Sequence, residues 1–499
     1  MKIFNYMTTL IFLLGGLVLS SCYKDKGNYD LAPVDVIQIG GPVSGPENYA
    51  LQQFDLLKIS PEFTFTGDES KLEYTWKIFP LNVKPDDPRV QVISNKRELE
   101  YQVKVPVGSY SVLLEIRDPQ TSIMRSRTFG VVVRLKGAQG FMVLNTKDNG
   151  EQDIDVIVDN TKPEIFFGLF SANNSIKLKD ATRLGMLQSA GNSSGTIYVF
   201  QKKGGFSLGS SFAFLQDARY WFFDAQPQYA GSAIYTDFFG ANAYLINDGN
   251  VHIALSPVSP PAFAYKAAGN YKATKWLFMS GYVFIYDDLN HRFLKLDKRG
   301  NRMSTITPNP VEDVFDVNDI GDKECLLFDH NLQPTVAPSA ANYNLLKPIA
   351  YCRDKNGKTF MYKFGFFRSL VTYCESVHEV TAPGFSTATA YVNSANNPLT
   401  FYASGNKIYV YDFTNDKARE IYTFAESDIS IDRLKTNGTK LMAVANGKSA
   451  NTGAVYFFDL EATGNIKNDT YASKYDGFGK VQDVEYKFNV IPFGAVLWK

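Results

Sequence analysis

A strand motif that recurs along the C-terminal part of the chain limits the fold more than any other feature. Each copy is a short β-branched and aromatic run with a small or polar residue before it and often an Asp after it. Copies occur at 196–200, 281–287, 407–412 and 453–459. Tyr362, Tyr409 and Tyr456 follow one another at intervals of 47 residues. Units of about 40–50 residues with four short strands each are typical of β-propeller blades.

Hairpin signals separate the strands of this region. Asn247-Asp248-Gly249-Asn250 and Asp354-Lys355-Asn356-Gly357 supply residues that tolerate a positive φ in tight turns. Counting candidate units over residues 137–499 predicts about seven blades, with six or eight open. The strand-like tail from Val481 to Trp498 is expected to close the ring by pairing with the first blade. Two unrelated β-sandwiches in series are the alternative.

Residues 31–136 predict a separate domain. Short alternating runs such as Leu72–Ile78 and Tyr110–Asp118 are separated by turn signals about every ten residues, which is typical of a β-sandwich. The composition agrees, because 38 Phe and 29 Tyr against 9 Met favour pleated structure. The predicted fold class is therefore all-β, with an immunoglobulin-like sandwich followed by a propeller.

The first residues predict export and a lipid anchor. Lys2, the apolar run Ile11–Leu19 and the small residues after it have the layout of a signal peptide at residues 1–21. This run is too short to span a bilayer. Leu19-Ser20-Ser21-Cys22 resembles the bacterial lipobox, so we expect Cys22 to be acylated, with residues 22–30 as a polar tether. An ordinary signal peptide with a cysteine there by chance is the alternative.

Residues of the predicted sandwich carry a family resemblance. Tyr74-Thr75-Trp76, followed by Gly108-Ser109-Tyr110 and by Arg117-Asp118, resembles the polycystic-kidney-disease (PKD) type of immunoglobulin-like domain. The resemblance implies that Trp76 fills the core and that the strand opened at Gly108 ends in an Asp turn. With the lipobox and the opening Cys22–Asp30, the chain resembles the PKD-like lipoproteins of Gram-negative outer membranes.

That resemblance implies a place and a function. The protein is expected at the outer membrane, lipid-anchored and facing the cell surface, beside a TonB-dependent transporter and its lid lipoprotein. There it is expected to capture a glycan or a peptide for uptake, without catalysis. A propeller hydrolase or lyase acting on the same polymers, and a purely structural docking subunit of the transporter complex, are the alternatives.

The polar residues give little support to catalysis or metal binding. None of the four histidines forms an HExxH or HxH pair, and we expect surface or loop positions for all of them: His252, His291, His330 and His378. The β-rich pattern argues against an α/β-hydrolase. Asp148-Asn149-Gly150 with Asp153 and Asp155 clusters oxygen ligands, but the spacing does not fit an EF-hand, so a hairpin turn with solvated acids is expected. We expect no catalytic residues, no metal and no cofactor.

Charge and cysteine content limit the partners and the cross-links. The chain has 51 Lys and Arg against 51 Asp and Glu, so no basic excess indicates a nucleic-acid partner. Cys325, Cys352 and Cys374 are expected as buried thiols. One disulfide, with Cys352–Cys374 the preferred pair, is the alternative.

Adjacent aromatic residues are the remaining candidates for binding. Flat rings at the mouth of a propeller suit stacking on sugars or contact with apolar peptide side chains. The candidate platform residues are Tyr220, Trp221, Phe239, Trp276 and Phe367, with Trp221 and Trp276 preferred. Packing between blades is the alternative role for these rings.

Overall fold

The chain forms two compact units in a computed structural model. The N-terminal unit comprises residues 1–51, 55–102 and 108–132, and the C-terminal unit comprises 52–54, 103–107 and 133–499. The described residues are 36–39, 48–84, 87–159, 162–188, 195–236, 242–254, 262–264, 266–279, 282–297, 301–330, 348–367, 370–449, 451–489 and 498. The predicted signal peptide, Cys22 and the tether lie outside them.

The N-terminal unit consists of antiparallel strands. They are β1 Ile37–Ile39, β2 Asn48–Gln52, β3 Leu56–Ile59, β4 Phe63–Phe65, β5 Glu73–Pro80, β6 Gln91–Ser94, β7 Leu99–Gln102, β8 Gly108–Arg117 and β9 Met124–Arg134, with a 3-10 turn at Glu69–Lys71. A five-stranded sheet has the order β2-β9-β8-β5-β6, and two small sheets pair β1 with β4 and β3 with β7.

Trp76 on the central strand β5 lies in the core of this unit. Its side chain is fully buried, its ring lies 6.0 Å from that of Phe129, and its Nε1 donates to the carbonyl of Lys96 at 2.9 Å. Strand β8 begins at Gly108, and Asp118 after it accepts from the Gln120 N–H at 2.9 Å and the Thr121 hydroxyl at 2.6 Å. Both expectations drawn from the PKD resemblance are confirmed.

The C-terminal unit has seven antiparallel sheets among the described residues, which we number as blades 1 to 7. Blade 1 contains β10 Gly140–Thr146, β11 Gln152–Val158, β12 Glu164–Phe166 and the last strand, β36 Lys480–Lys487. Blade 2 contains β13 Ala181–Leu187, β14 Thr196–Gln201, β15 Gly205–Leu208 and β16 Phe214–Asp217. Blade 3 contains β17 Gly231–Thr236, β18 Ala243–Asn247 and β19 Asn250–Ala254, and His252 on β19 bridges to Lys266.

The other four blades each have four described strands. Blade 4 contains β20 Ala273–Met279, β21 Tyr282–Asp287, β22 Arg292–Asp297 and β23 Ser304–Thr305; blade 5 contains β24 Lys323–His330, β25 Pro348–Asp354, β26 Thr359–Phe367 and β27 Leu370–Val380. Blade 6 contains β28 Ala390–Asn393, β29 Leu399–Ser404, β30 Lys407–Asp412 and β31 Lys417–Thr423; blade 7 contains β32 Ser430–Thr436, β33 Lys440–Asn446, β34 Gly453–Asp459 and β35 Ser473–Phe478. The helical segments that the structure describes in this unit are short: α1 Leu169–Asn173 and 3-10 turns at Ala218–Tyr220, Phe385–Thr387 and Lys467–Asp469.

The ring closes through the last strand. β36 pairs antiparallel with β10, from Gly140 opposite Lys487 to Thr146 opposite Lys480, and so becomes the inner strand of blade 1. Seven hydrophobic clusters lie between the seven pairs of neighbouring blades, including the pair 7 and 1. The predicted propeller, its blade number and its closure are confirmed. Apolar burial of this kind contributes roughly 25 cal/mol per Å² and is what holds neighbouring blades together.

The 47-residue interval has a structural cause. Tyr362, Tyr409 and Tyr456 all lie on the third strand of their blades, β26, β30 and β34. The copies at 196–200 and 281–287 belong instead to second strands, β14 and β21. The predicted turn at Asp248-Gly249 is a two-residue hairpin with φ of 49° and 72°, as its residue types require.

Candidate functional site

The inner strands of all seven blades enclose one cavity of about 640 Å³. They are β13, β17, β20, β24, β28, β32 and β36. A volume of this size suits a small ligand or one end of a polymer, because small-molecule sites usually measure about 300–1,000 Å³. The cavity lies wholly within the C-terminal unit.

A recurring β-bulge shapes the wall of this cavity. In six of the inner strands one residue lacks a partner on the next strand of its blade, for example Thr182 between Ala181 and Arg183. Bulges bend a strand and re-aim the side chains beside them. The residues that follow the six bulges all line the cavity: Arg183, Ala233, Lys275, Leu327, Arg433 and Asp483.

Two ion pairs neutralise one side of the cavity, between blades 7 and 1. Arg433 Nε lies 3.3 Å from Asp483 Oδ1, and Lys435 Nζ lies 2.7 Å from Glu485 Oε2. Asp483 Oδ2 also accepts the Leu184 N–H at 2.9 Å, which joins blade 1 to blade 2. The charged groups on this side therefore bind one another, and Asp483 also links blade 1 to blade 2.

The side formed by blades 2 to 4 differs, because its cations have no carboxylate partner among the described residues. Arg183 donates from Nη1 to the carbonyl of Ser232 at 2.9 Å, and its guanidinium carbon lies 6.0 Å from the centre of the Trp276 ring. The ammonium group of Lys275 makes no hydrogen bond or ion pair within the described part of the chain. This side is therefore cationic and polar, with the half-buried indole ring of Trp276 beside Arg183.

Aromatic rings continue the same wall. Tyr235 on β17 and Phe278 on β20 stack with 4.2 Å between ring centres and 10° between planes. Both line the cavity together with Trp276, which is half-buried. Flat rings beside hydrogen-bonding groups are a common arrangement for binding sugars and amphipathic side chains.

Blades 5 and 7 contribute carboxylates. Asp432 accepts from Asn446 Nδ2 at 2.8 Å and from Ser430 Oγ at 2.5 Å, and Asp329 accepts the His330 N–H at 2.8 Å. Over the whole cavity, four Lys and Arg side chains face four Asp and Glu side chains. The cavity is thus balanced in charge but divided into a cationic side and an acidic side.

The structure places the predicted platform residues in different environments. Trp276 lines the cavity. Trp221 is only 1% exposed and packs between blades 2 and 3, with its ring 5.0 Å from Tyr198. Tyr220 is 60% exposed on a 3-10 turn, beneath the guanidinium of Arg219 at 5.1 Å. Phe239 and the side chain of Phe367 lie outside the described residues.

Sequence reasoning missed the charged residues of the cavity. Arg433-Leu434-Lys435 and Asp483-Val484-Glu485 are pairs of charges one residue apart in strand-like runs, and they lie 50 residues from each other. Charged residues at alternate positions of an otherwise apolar strand, repeated at blade spacing, are the signal that indicates an inner strand facing a polar cavity.

Two expectations about polar residues were wrong. His252 and His330 are buried on strands, whereas surface or loop positions were expected for all four histidines. Asp153 and Asp155 lie buried on β11 instead of in a solvated turn, because both accept backbone N–H groups at the start of α1. Burial raises the pKa of Asp155 to about 6. No cluster of three or more His, Cys, Asp or Glu able to hold a metal occurs in the described ranges.

The cysteines are buried free thiols, as the preferred interpretation expected. The alternative Cys352–Cys374 bridge is not formed, because Cys352 lies opposite Cys325 and Cys374 lies opposite Phe364 on the neighbouring strands. Burial raises the pKa of the Cys352 thiol. Among the helices that the structure describes, none is long and apolar enough to cross a membrane.

Comparisons with known proteins agree with this architecture. Residues 22–180 match the PKD-like family. A quinoprotein alcohol dehydrogenase-like protein from Bacteroides thetaiotaomicron is similar over 89% of this chain and 99% of its own, with a TM-score of 0.52 and 11% identity. That level of identity shows a shared fold. No curated protein sequence matches the chain.

Two further solved structures have lower scores. Apo AztD from Citrobacter koseri has a TM-score of 0.36 and 10% identity over 84% of this chain and 99% of its own. Hsv2 from Kluyveromyces lactis has a TM-score of 0.34 and 10% identity over 59% of this chain and 82% of its own.

Proposed function

We propose that this protein, whose residues 22–180 match the PKD-like family, captures a ligand in the central cavity of its propeller and releases it unchanged. The observation that carries the proposal is the cavity itself: seven inner strands direct charged and aromatic side chains into one space of about 640 Å³. Its best ligands are a glycan end or a short peptide, since both offer polar groups and faces that stack on aromatic rings.

The environment of the cavity carboxylates supports binding over proton transfer. Asp483 accepts from Arg433 and from the Leu184 N–H, and Glu485 is paired with Lys435. A carboxylate whose oxygens already contact a cation and a backbone N–H is poorly placed to exchange a proton with a bound substrate. Such groups fix the wall of a site and its hydrogen-bonding pattern.

The cellular setting is part of the same proposal. Acylation of Cys22 would hold the protein at the outer membrane, because each buried CH₂ contributes roughly 0.8 kcal/mol. The propeller would then collect glycans or peptides at the cell surface for a TonB-dependent transporter and its lid lipoprotein. The sandwich between the anchor and the propeller would act as a spacer.

Incubation of the purified protein with candidate oligosaccharides and peptides, with measurement of both retention and product formation, tests the proposal. Retention of intact ligand, weakened about tenfold or more by Trp276→Ala, is the expected result. Tyr220→Ala is the matched control, because Tyr220 is an exposed aromatic residue that does not line the cavity.

The other outcomes identify the alternatives. New reducing ends or new amino termini would show a hydrolase, and unsaturated sugar products would show a lyase. Co-purification with the transporter complex without any retained ligand would show a docking subunit. If Tyr220→Ala weakens the retention of ligand and Trp276→Ala leaves it unchanged, the binding site lies outside the cavity.

A further inference from the structure

We propose that the side of the cavity formed by Arg183, Lys275 and Trp276 binds a carboxylated sugar unit, a uronate of an acidic glycan; this inference rests on the capture function proposed above. It specifies which chemical group the cavity selects and which residues select it.

Equivalent positions in three consecutive blades form this side. Arg183 follows the bulge of blade 2, Ala233 that of blade 3 and Lys275 that of blade 4. Because the three residues occupy the same place in their strands, they lie at one level of the ring. Ala233, which lies between the two cationic residues in this series, has a short side chain, and all three residues line the same cavity.

These two cations are available, whereas the other two in the cavity are not. Arg433 and Lys435 are each paired with a carboxylate on β36. Arg183 uses one N–H on the Ser232 carbonyl, and Lys275 has no polar partner within the described residues. A guanidinium offers five donors and binds a carboxylate through two parallel bonds. An anionic group would therefore complete the hydrogen bonding of this side.

The position of Trp276 favours a uronate sugar over an acidic peptide side chain as the source of the carboxylate. Its ring centre lies 6.0 Å from the guanidinium carbon of Arg183, so a carboxylate bound by Arg183 would lie beside the face of the indole. In a uronate the carboxylate is attached directly to the sugar ring, and the face of that ring is available for stacking at the same time. An acidic peptide side chain carries its carboxylate on a flexible stem and presents no flat face.

The acidic side of the cavity limits the ligand to one carboxylate at this depth. Asp432 of blade 7 lines the cavity and would repel a second anionic group. A sugar that directs its carboxylate towards Arg183 and Lys275 can direct a hydroxyl towards Asp432, which accepts hydrogen bonds. The division of charge across the cavity thus matches a ring with a single acidic substituent.

Calorimetric titration of the full-length mature protein with a panel of uronate oligosaccharides, each paired with its neutral methyl ester, tests this inference. At least one acid should bind about tenfold or more tightly than its ester, since a charge-assisted hydrogen bond has roughly this effect. Lys275→Gln and Arg183→Gln should each reduce that preference severalfold, and Lys275→Arg should retain it. Lys202→Gln, at a side chain that is 73% exposed on the rim of blade 2, is the control.

Each outcome has one meaning. If esters and acids bind equally, this inference is wrong while the capture function stands. If neither acidic nor neutral oligosaccharides nor peptides bind, the capture function itself fails. If tri-glutamate binds with sensitivity to Lys275→Gln and uronates do not, the ligand is a peptide and the sugar assignment is wrong. Far-ultraviolet circular dichroism of each variant separates loss of binding from loss of folding, and Lys275→Arg tests the charge if Lys275→Gln fails to fold.

Discussion

Replacement of Asp155 by Asn should remove a pH dependence of stability that this buried carboxyl imposes. Asp155 is 1% exposed, and desolvation raises its pKa from an ordinary 3.8 to about 6. The Gly168 N–H at 2.6 Å and Asn145 Nδ2 at 2.8 Å oppose this rise only in part. A difference of about two pKa units between the folded and unfolded chain corresponds to about 3 kcal/mol.

The direction of this pH dependence follows from whether the folded or the unfolded chain holds the proton of Asp155. Between about pH 4 and pH 6 the folded carboxyl is still protonated while the unfolded one has ionised, so the folded protein binds more protons. The free energy of unfolding therefore falls as the pH rises through this window. The cost of burying the charge is absent below about pH 4 and complete above about pH 6.

Urea unfolding of the wild type and of Asp155→Asn, followed by tryptophan fluorescence from pH 3.5 to 7.5, measures this effect. Between pH 4 and pH 7 the wild type should lose about 3 kcal/mol relative to the variant. A constant offset is expected from the altered hydrogen bond to Asn145, so only the change with pH is the test.

Asp153→Asn is a companion variant, because the charge of Asp153 also raises the pKa of Asp155. The two N–H donors to Asp153, from Ile154 and Ser171, both reach Oδ1, which an asparagine retains. In this variant the pKa of Asp155 should lie closer to its ordinary value. The pH range over which the free energy of unfolding falls should therefore be narrower than in the wild type. A difference between wild type and Asp155→Asn that stays flat with pH, or that favours the wild type as the pH rises, would refute the reasoning.

Three further outcomes are expected. Burial lowers the pKa of Lys487 to about 8, so stability should rise between about pH 8 and pH 10.5, and Lys487→Met should abolish this rise in urea titrations. Cys325, Cys352 and Cys374 should resist a thiol reagent in the folded protein and react in urea, and rapid modification without urea would contradict their burial. Phe385→Ala should reduce the free energy of unfolding by about 3–5 kcal/mol, because its ring lies 4.8 Å from both Tyr351 and Tyr402; a loss below 1 kcal/mol would contradict this packing.

The architecture could be predicted because its signals are local and repeated. The third strands of three consecutive blades carry Tyr362, Tyr409 and Tyr456 at a constant spacing. The residue types of Asp248-Gly249 predict the hairpin that is observed there. The inner strands were harder to find. β28 has only four residues and β32 carries three charged residues, so neither shows the apolar strand pattern of the third strands.

The cavity was largely hidden from the sequence because its residues come from seven distant strands. Arg183 and Asp483 meet the same space although they are 300 residues apart. The bulges that re-aim them depend on pairing with the next strand, which no local pattern shows. Trp276 and Trp221 have the same aromatic appearance in the sequence, yet only Trp276 reaches the cavity, since Trp221 fills the space between two blades.

Because β36 closes the ring, the propeller fold can be completed only late in the synthesis of the chain. The first blade emerges from the ribosome without its inner strand, which is translated only after all the other blades. Until then one edge of β10 is unpaired, and it can form hydrogen bonds with strands of other protein molecules. The nascent chain must therefore keep this edge unpaired until β36 has been synthesised. A stop codon before residue 480 would leave six complete blades and an incomplete first one, a product suited to proteolysis.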